Sequence, residues 1–241
     1  IIDFYGENTD YYVCTWDNVY EYFNGKELLL HIADTIKEKG RRIESGEPRK
    51  TWRSFQPFDK EKASKFLKSK FKNIEIKFIS NDDLFKWTET MKYAKTMDDL
   101  DKLYYFGNLF CFKSTYDFFK SFGKEYDMVF RQRLDNIPFT ELDPQVAIKR
   151  DYHTGTVGGI TLFNDKIRIK RGLVKICESF MYGRPEVFDM FFENLEERLD
   201  LLYAYQPIQR EKQSLHSERQ FGSIMLGSNI SIRPGLISDT L

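Results

Sequence analysis

The chain has 241 residues, enough for one large domain or two small ones, and we expect a single domain. Its 37 basic and 37 acidic residues cancel, so no overall field favours a nucleic acid or an anionic membrane as partner. The three cysteines, Cys14, Cys111 and Cys177, are odd in number and widely spaced, which indicates reduced thiols in a cytoplasmic protein. No run reaches the roughly 18 apolar residues that a membrane span needs, and peripheral membrane association stays open.

Apolar periodicity predicts alternating strands and helices in the first half of the chain. The predicted elements are a strand over 11–18, a helix over 28–40, a basic loop over 41–56, a helix capped by Asp59, a strand over 74–78 and helices over 83–95 and 98–122. Helices that alternate with strands indicate an α/β fold of three layers with a mostly parallel sheet.

The next predicted strand runs directly into two arginines and a carboxylate. Alternate side chains of a strand share a face, so Val129, Arg131, Arg133 and Asp135 should project together at its carboxyl end. Ligands of open α/β sheets bind at that edge, and guanidinium groups with a carboxylate suit a diphosphate with a divalent cation. The competing interpretation is that the arginines and Asp135 form salt bridges with one another at the surface.

Short strands and glycines follow Pro144. Pro185 then begins a predicted amphipathic helix whose apolar positions continue to Leu202. A shorter helix capped by Ser217 should end at Gly227, and a last strand should contain Ile230 and Ile232.

Three short motifs resemble those of the WavE-like lipopolysaccharide-synthesis glycosyltransferases and their viral and bacterial relatives. They are Asp-x-x-x-x-Thr-Trp-Asp at 10–17, Tyr-Asp followed by Arg-x-Arg-x-Asp at 126–135, and Phe-Met-Tyr-Gly-Arg-Pro-Glu at 180–186. The resemblance implies a GT-A-like three-layer sandwich, with a nucleotide-sugar-binding half at 1–140 and an acceptor-binding half at 141–241. It also implies a nucleotide diphosphate sugar as donor, a glycan or lipid-linked acceptor, and Mn²⁺ or Mg²⁺ held by Asp135. Arg133 stands where the first aspartate of the usual acidic motif would be, so the arginines could replace part of the charge of the metal.

The resemblance also suggests two catalytic carboxylates. Glu218 resembles the acidic residue that such enzymes place beneath the acceptor, where it would take the proton of the acceptor hydroxyl. Glu178 precedes the glycine turn at 180–183, a place where related sequences carry an acid. The competing interpretations are a first-turn acid that complements the helix dipole for Glu218, and a solvated or arginine-paired carboxylate for Glu178.

Other side chains are candidates for substrate contacts. Trp16 could stack on the base or sugar of the donor, Asp17 could accept hydrogen bonds from the ribose hydroxyls, and Lys113 could reach the phosphates. Tyr182 and Arg184, at the entrance to the helix at Pro185, could contact the acceptor. Core packing of Trp16, a solvated helix face for Lys113 and a structural turn at 182–185 are the alternatives.

Two further functional classes remain open from the sequence. One is a non-catalytic carbohydrate- or nucleotide-binding module on the same fold. The other is a metal-dependent phosphoryl-transfer or nuclease-like enzyme, which is weaker because a single carboxylate at a strand end does not make a two-metal site.

Overall fold

The structure is a computed structural model that describes residues 9–20, 55–57, 59–69, 71–97, 99–132, 159–162, 168–170, 173–175, 180–205, 217–228 and 230–233. In chain order the elements are β1 (Tyr11–Trp16), β2 (Asn18–Tyr20), β3 (Phe55–Pro57), α1 (Lys60–Lys68), β4 (Ile74–Ile79), α2 (Asn81–Thr88), α3 (Asp99–Lys120), β5 (Val129–Gln132), β6 (Gly159–Leu162), β7 (Arg168–Lys170), β8 (Leu173–Lys175), β9 (Phe180–Gly183), α4 (Pro185–Phe192), α5 (Leu195–Ala204), α6 (Ser217–Gly227) and β10 (Ser231–Arg233). The helix predicted over 28–40 lies outside the described residues.

Strands β1 and β4 form a parallel pair between two helices. Their register runs from Tyr11 opposite Ile74 to Trp16 opposite Ile79. On one face, just beyond α1, the ring of Phe71 lies 4.6 Å from that of Tyr11. On the other face α3 packs, with the ring of Phe110 6.1 Å from that of Trp16. Side chains alternate between the two faces of a strand, and Tyr11 and Trp16 are an odd number of residues apart, so they point to opposite faces. Helices α1 and α3 therefore lie on opposite sides of the strand pair, and this part of the fold has three layers.

Side-chain caps explain where the first helices begin. Asp59 caps α1 as predicted, since its carboxylate accepts a 2.9 Å hydrogen bond from the backbone N–H of Lys62. Ser80 and Asp83 form a capping box at α2, in which each side chain accepts a hydrogen bond from the backbone N–H of the other residue. The helix predicted over 83–95 is therefore earlier and shorter than expected, and a single 3-10 turn at Ala94–Thr96 follows it.

A second sheet of four strands has the order β10-β6-β9-β5. Strand β10 runs parallel to β6, whereas β9 is antiparallel to both of its neighbours. Two of the six described ladders are parallel and four are antiparallel. The described residues do not make up a GT-A-like sandwich with a mostly parallel sheet, so that fold stays a prediction.

The prediction of one continuous helix from Pro185 to Leu202 is wrong. Two helices, α4 and α5, meet at Asn194, whose backbone adopts the left-handed conformation with a φ of 51°. Asparagine tolerates this conformation better than most residues, so the chain can turn there while the helical spacing of apolar residues continues on both sides.

An aromatic core joins α3 to the C-terminal helices. Phe112 of α3 lies at its centre and is surrounded by Phe188 and Phe191 of α4 and by Phe221 of α6, all of them buried. Helix α3 therefore has β1 and β4 on one side and β5, α4 and α6 on the other. Within the described residues, no helix combines the length and the apolarity that crossing a membrane requires.

Candidate donor-binding site at the strand ends

The carboxyl end of β1 presents the first two candidate residues. Trp16 is half-buried and packs on α3, where a Cβ at Gly107 would lie only 3.7 Å from the indole ring. Core packing, the competing interpretation for Trp16, is therefore observed, and stacking on a nucleotide stays a prediction. Asp17 follows the strand, with its carboxylate 3.4 Å from the ammonium of Lys60 at the start of α1. Its side chain remains about a quarter exposed, at 26%.

Arg131 lies near the carboxyl end of β5 and points into the fold. Its Nη2 donates a 3.0 Å hydrogen bond to Oδ1 of Asn108. Its guanidinium carbon lies 4.8 Å from the ring centroid of Phe112 and 5.0 Å from that of Phe221. A planar guanidinium in contact with two rings gains cation–π attraction and apolar packing. Arg131 thus joins β5 to α3 and α6, and diphosphate binding by this side chain stays a prediction.

Strands β1 and β5 run in the same direction across α3. Near their amino ends, the hydroxyls of Tyr12 and Tyr126 lie 2.7 Å apart. Near their carboxyl ends, Trp16 contacts Phe110 and Arg131 contacts Asn108, which lie within one turn of each other on α3. The ends of both strands therefore lie at the same level along α3, on different sides of this helix, at the end of the fold where the sequence predicts donor binding.

The start of α6 lies beside the same stretch of α3. Gln220 is fully buried, and its Nε2 donates hydrogen bonds of 2.8 Å to the carbonyl of Tyr105 and to the hydroxyl of Tyr203. Glu218 lies two residues earlier, in the first turn of α6. Residues 105–112 of α3 thus have the end of β1, the end of β5 and the start of α6 around them; we call this stretch the α3 platform.

The remaining candidates have other surroundings or lie outside the described residues. Lys113 forms an ion pair of 2.7 Å with Asp117, one turn further along α3. Tyr182 is buried and stacks on Phe130 with ring centroids 5.5 Å apart, while Arg184 is the half-buried residue before α4. The residues outside the described ranges are Arg133, Asp135 and Glu178, and the side chain of Glu218 is likewise not described.

Three residues of the platform and its surroundings were not predicted from the sequence. Asn108 is an amide side chain in an otherwise apolar segment of α3, and that contrast could have identified it as a hydrogen-bonding group packed between elements. Gln220 follows three polar residues at the start of α6, so its sequence context carried no such signal. Lys60 carried no such signal, because it is one of several lysines in α1.

The described carboxylates do not build a site for a divalent cation. No group of three or more His, Cys, Asp or Glu residues is arranged to hold a metal in the described part of the chain. Asp17, the carboxylate at the strand-end edge, pairs with Lys60, and Asp135 lies outside the described ranges. The described donor set therefore does not fit Mn²⁺ or Mg²⁺, and the metal assigned to Asp135 stays a prediction.

A polar cluster occupies the opposite, amino ends of the same strands. One carboxylate oxygen of Asp10 accepts hydrogen bonds from the ammonium of Lys124, at 2.8 Å, and from the hydroxyl of Tyr126. The hydrogen bond from Lys124, followed by that from Tyr126, lowers the pKa of Asp10. Burial and the hydrogen bonds to Asp10 and Tyr12 raise the pKa of Tyr126 above its ordinary value. The cluster thus favours a charged Asp10 beside a neutral Tyr126.

We expect Asp10 to make the stability of the fold depend on pH in the acid range. A carboxyl group whose pKa is lowered on folding stabilises the protein above its unfolded pKa, near 3.8, and that stabilisation is lost as the pH falls through the folded pKa. The difference in free energy of unfolding between the wild type and Asp10→Asn should therefore be present at neutral pH and should shrink towards zero in strong acid. Urea unfolding over this pH range measures it; a difference that does not change with pH would contradict the assignment.

The family resemblance of the three motifs stays a prediction. Comparison with protein-family models, with curated proteins and with solved structures finds no match for this chain.

Proposed function

We propose that the protein is a glycosyltransferase that moves a sugar from a nucleotide diphosphate sugar to a glycan or lipid-linked acceptor. The observation that carries the proposal is the α3 platform, around which the ends of β1 and β5 and the start of α6 lie. Each of these elements bears, or leads within a few residues to, a group that such a reaction requires. In the described part of the chain, candidate residues from two of the three motif regions and the helix that carries Glu218 thus lie beside one stretch of α3.

The two ends of the proposed donor site have different chemistry. Trp16 and Asp17 at the end of β1 would contact the nucleoside, the indole by stacking and the carboxylate through the ribose hydroxyls. Arg133 and Asp135, which follow β5, would contact the diphosphate. Arg131 is better suited to hold the strand in place than to bind phosphate, because Asn108 and two rings already surround its guanidinium. In this proposal Arg131 is a positioning residue.

Glycosyl transfer forms a bond from the anomeric carbon to the acceptor oxygen and breaks its bond to the diphosphate. The negative charge that develops on the leaving diphosphate needs compensation, which we assign to Arg133. If the reaction inverts the anomeric carbon, the acceptor hydroxyl must lose its proton to a base, and we assign that role to Glu218. Retention of configuration needs no such base, so the role of Glu218 as a base applies to the inverting reaction.

Donor binding tests the proposal directly. A panel of UDP, GDP and dTDP compounds, each with and without Mn²⁺, should include one that raises the melting temperature. At a hundred times the dissociation constant, ligand binding adds about 2.7 kcal/mol, or roughly 5–10 °C for a chain of this size. Arg133→Ala and Asp135→Ala should abolish the rise.

Glu89→Ala and Lys95→Ala are matched controls, since both positions are exposed and distant in sequence from the motifs. They should preserve the ligand-induced rise. If no compound on the panel raises the melting temperature of the wild type, the donor assignment fails.

Turnover separates the enzyme from a binding module on the same fold. With the donor identified by the thermal measurement, the wild type should release nucleoside diphosphate, and Glu218→Gln should lower that rate by about 10²-fold or more while donor binding persists. Binding with no release of nucleoside diphosphate, in the presence of candidate acceptors, would favour the non-catalytic module.

A further inference from the structure

Helix α1 is strongly basic although the whole chain is neutral. Four of its nine residues are lysines, at positions 60, 62, 65 and 68, and all four are exposed. The 37 basic and 37 acidic residues of the chain cancel, so the positive field at α1 is a local one. The helix also carries Phe66, whose side chain is 61% exposed.

Two of the lysines and the phenylalanine share the outward face of α1. Successive helical residues turn by about 100°, so Lys62, Lys65, Phe66 and Ser69 point to one side. Ala63, Ser64 and Leu67 point to the other side and are half-buried against the β1–β4 pair. Lys68 borders the outward face beside Glu61, the one acidic residue in the helix. We call the side bearing Lys62, Lys65 and Phe66 the basic face.

The basic face is held in a defined orientation. At the start of the helix, Lys60 pairs with Asp17 at 3.4 Å and lies 5.6 Å from the ring centroid of Phe78. Just beyond the helix, Phe71 packs on Tyr11. These contacts at both ends fix which side of α1 faces the β1–β4 pair, although no residue of the helix is fully buried. The exposed ring is thus kept at the surface and cannot turn inward without breaking them.

We propose that the basic face of α1 binds an anionic lipid surface. Lysines around an exposed aromatic ring combine the two attractions by which interfacial helices bind membranes: charge towards lipid phosphates, and insertion of an apolar side chain between headgroups. A polyanion such as a nucleic acid would use the lysines but has no apolar layer for Phe66 to enter. The helix would lie flat on the membrane. This inference does not depend on the glycosyltransferase proposal.

Binding to vesicles tests the inference. The full chain should sediment with vesicles of phosphatidylcholine containing phosphatidylglycerol and not with vesicles of phosphatidylcholine alone, and added salt should release it. Each lysine near an anionic surface strengthens binding about fivefold, so reversing two charges in Lys62→Glu/Lys65→Glu should weaken it at least about thirtyfold. Phe66→Ser should weaken it at least about tenfold, because the ring no longer enters the lipid.

Matched controls separate the basic face from general charge and apolarity. Lys86→Glu/Lys95→Glu makes the same change of charge at exposed positions away from α1, and Leu201→Ser removes an apolar side chain that is 67% exposed. Both controls should bind vesicles like the wild type. All variants should keep the melting temperature of the wild type, because every substituted side chain is exposed.

Three results would overturn the inference. The first is equal sedimentation with neutral and anionic vesicles, and the second is loss of binding in the controls as well as in the α1 variants. The third is binding to heparin or RNA that depends on Lys62 and Lys65 but not on Phe66, which would identify a polyanion-binding surface instead. Since donor binding is measured without vesicles, failure here leaves the glycosyltransferase proposal to its own test.

Discussion

Replacing Phe112 by alanine should lower the free energy of unfolding by about 3–5 kcal/mol, as expected for removal of a large aromatic side chain from a core. The Phe112 ring lies within 6.0 Å of the rings of Phe188, Phe191 and Phe221, centroid to centroid, and the guanidinium of Arg131 lies over it. These neighbours come from α4, α6 and β5, so they cannot all move into the space that the ring leaves. Urea unfolding followed by circular dichroism measures the loss.

Phe66→Ala is the matched control for this substitution. It removes the same side chain from a position that is 61% exposed, and we expect a change of no more than about 0.5 kcal/mol. A loss below about 1.5 kcal/mol for Phe112→Ala would mean that the three helices do not share one core.

Replacing Arg131 by alanine should cost about 2–3 kcal/mol of stability, chiefly through lost packing and the lost hydrogen bond to Asn108. The guanidinium contacts Asn108, Phe112 and Phe221 at once, so its removal loosens β5 from both α3 and α6. Arg131→Lys should recover only part of the loss, because an ammonium lacks the planar shape that packs against the two rings. A double-mutant cycle with Asn108→Ala isolates the hydrogen bond.

Arg133→Ala provides the contrast that distinguishes positioning from donor binding. If Arg131 positions the strand and Arg133 binds the diphosphate, Arg131→Ala should lower stability, whereas Arg133→Ala should remove donor binding with little loss of stability. The reverse pattern, a stable Arg131→Ala variant that no longer binds the donor, would assign the phosphate contact to Arg131.

Local patterns predicted those parts of the fold that depend on neighbouring residues. Asp59 was recognised as a cap because a carboxylate before a helix satisfies a free backbone N–H, which needs no distant partner. The alternation of Ile74, Ile76 and Phe78 predicted β4 in the same way. The break between α4 and α5 could not be predicted, because the helical spacing of apolar residues continues across it. The positive φ of Asn194, which turns the chain there, is a property of the backbone that this spacing does not reveal.

The surroundings of Arg131 could not be predicted, because they come from distant parts of the chain. Alternation indicated that Val129 and Arg131 share a face, and both do lie on the side of β5 that packs towards the core. The sequence could not show that this face meets Phe112 and Phe221, which two different helices supply. The position of Arg131 at the end of a strand is typical of a ligand-binding residue. Its contacts instead join strand β5 to helices α3 and α6.

The parallel pairing of β1 with β4 also has a consequence for synthesis of the chain. Tyr11 pairs with Ile74 and Trp16 with Ile79, so each residue of β1 has its partner 63 positions later. At about 5–20 residues per second, a ribosome needs roughly 3–13 s to add that many residues. During this time the strand Tyr11–Trp16 has already been synthesised, while β4, with which it forms its backbone hydrogen bonds, has not. A nascent chain thus carries β1 before its partner β4 is available, and this unpaired edge is a natural site for a chaperone to protect until β4 emerges.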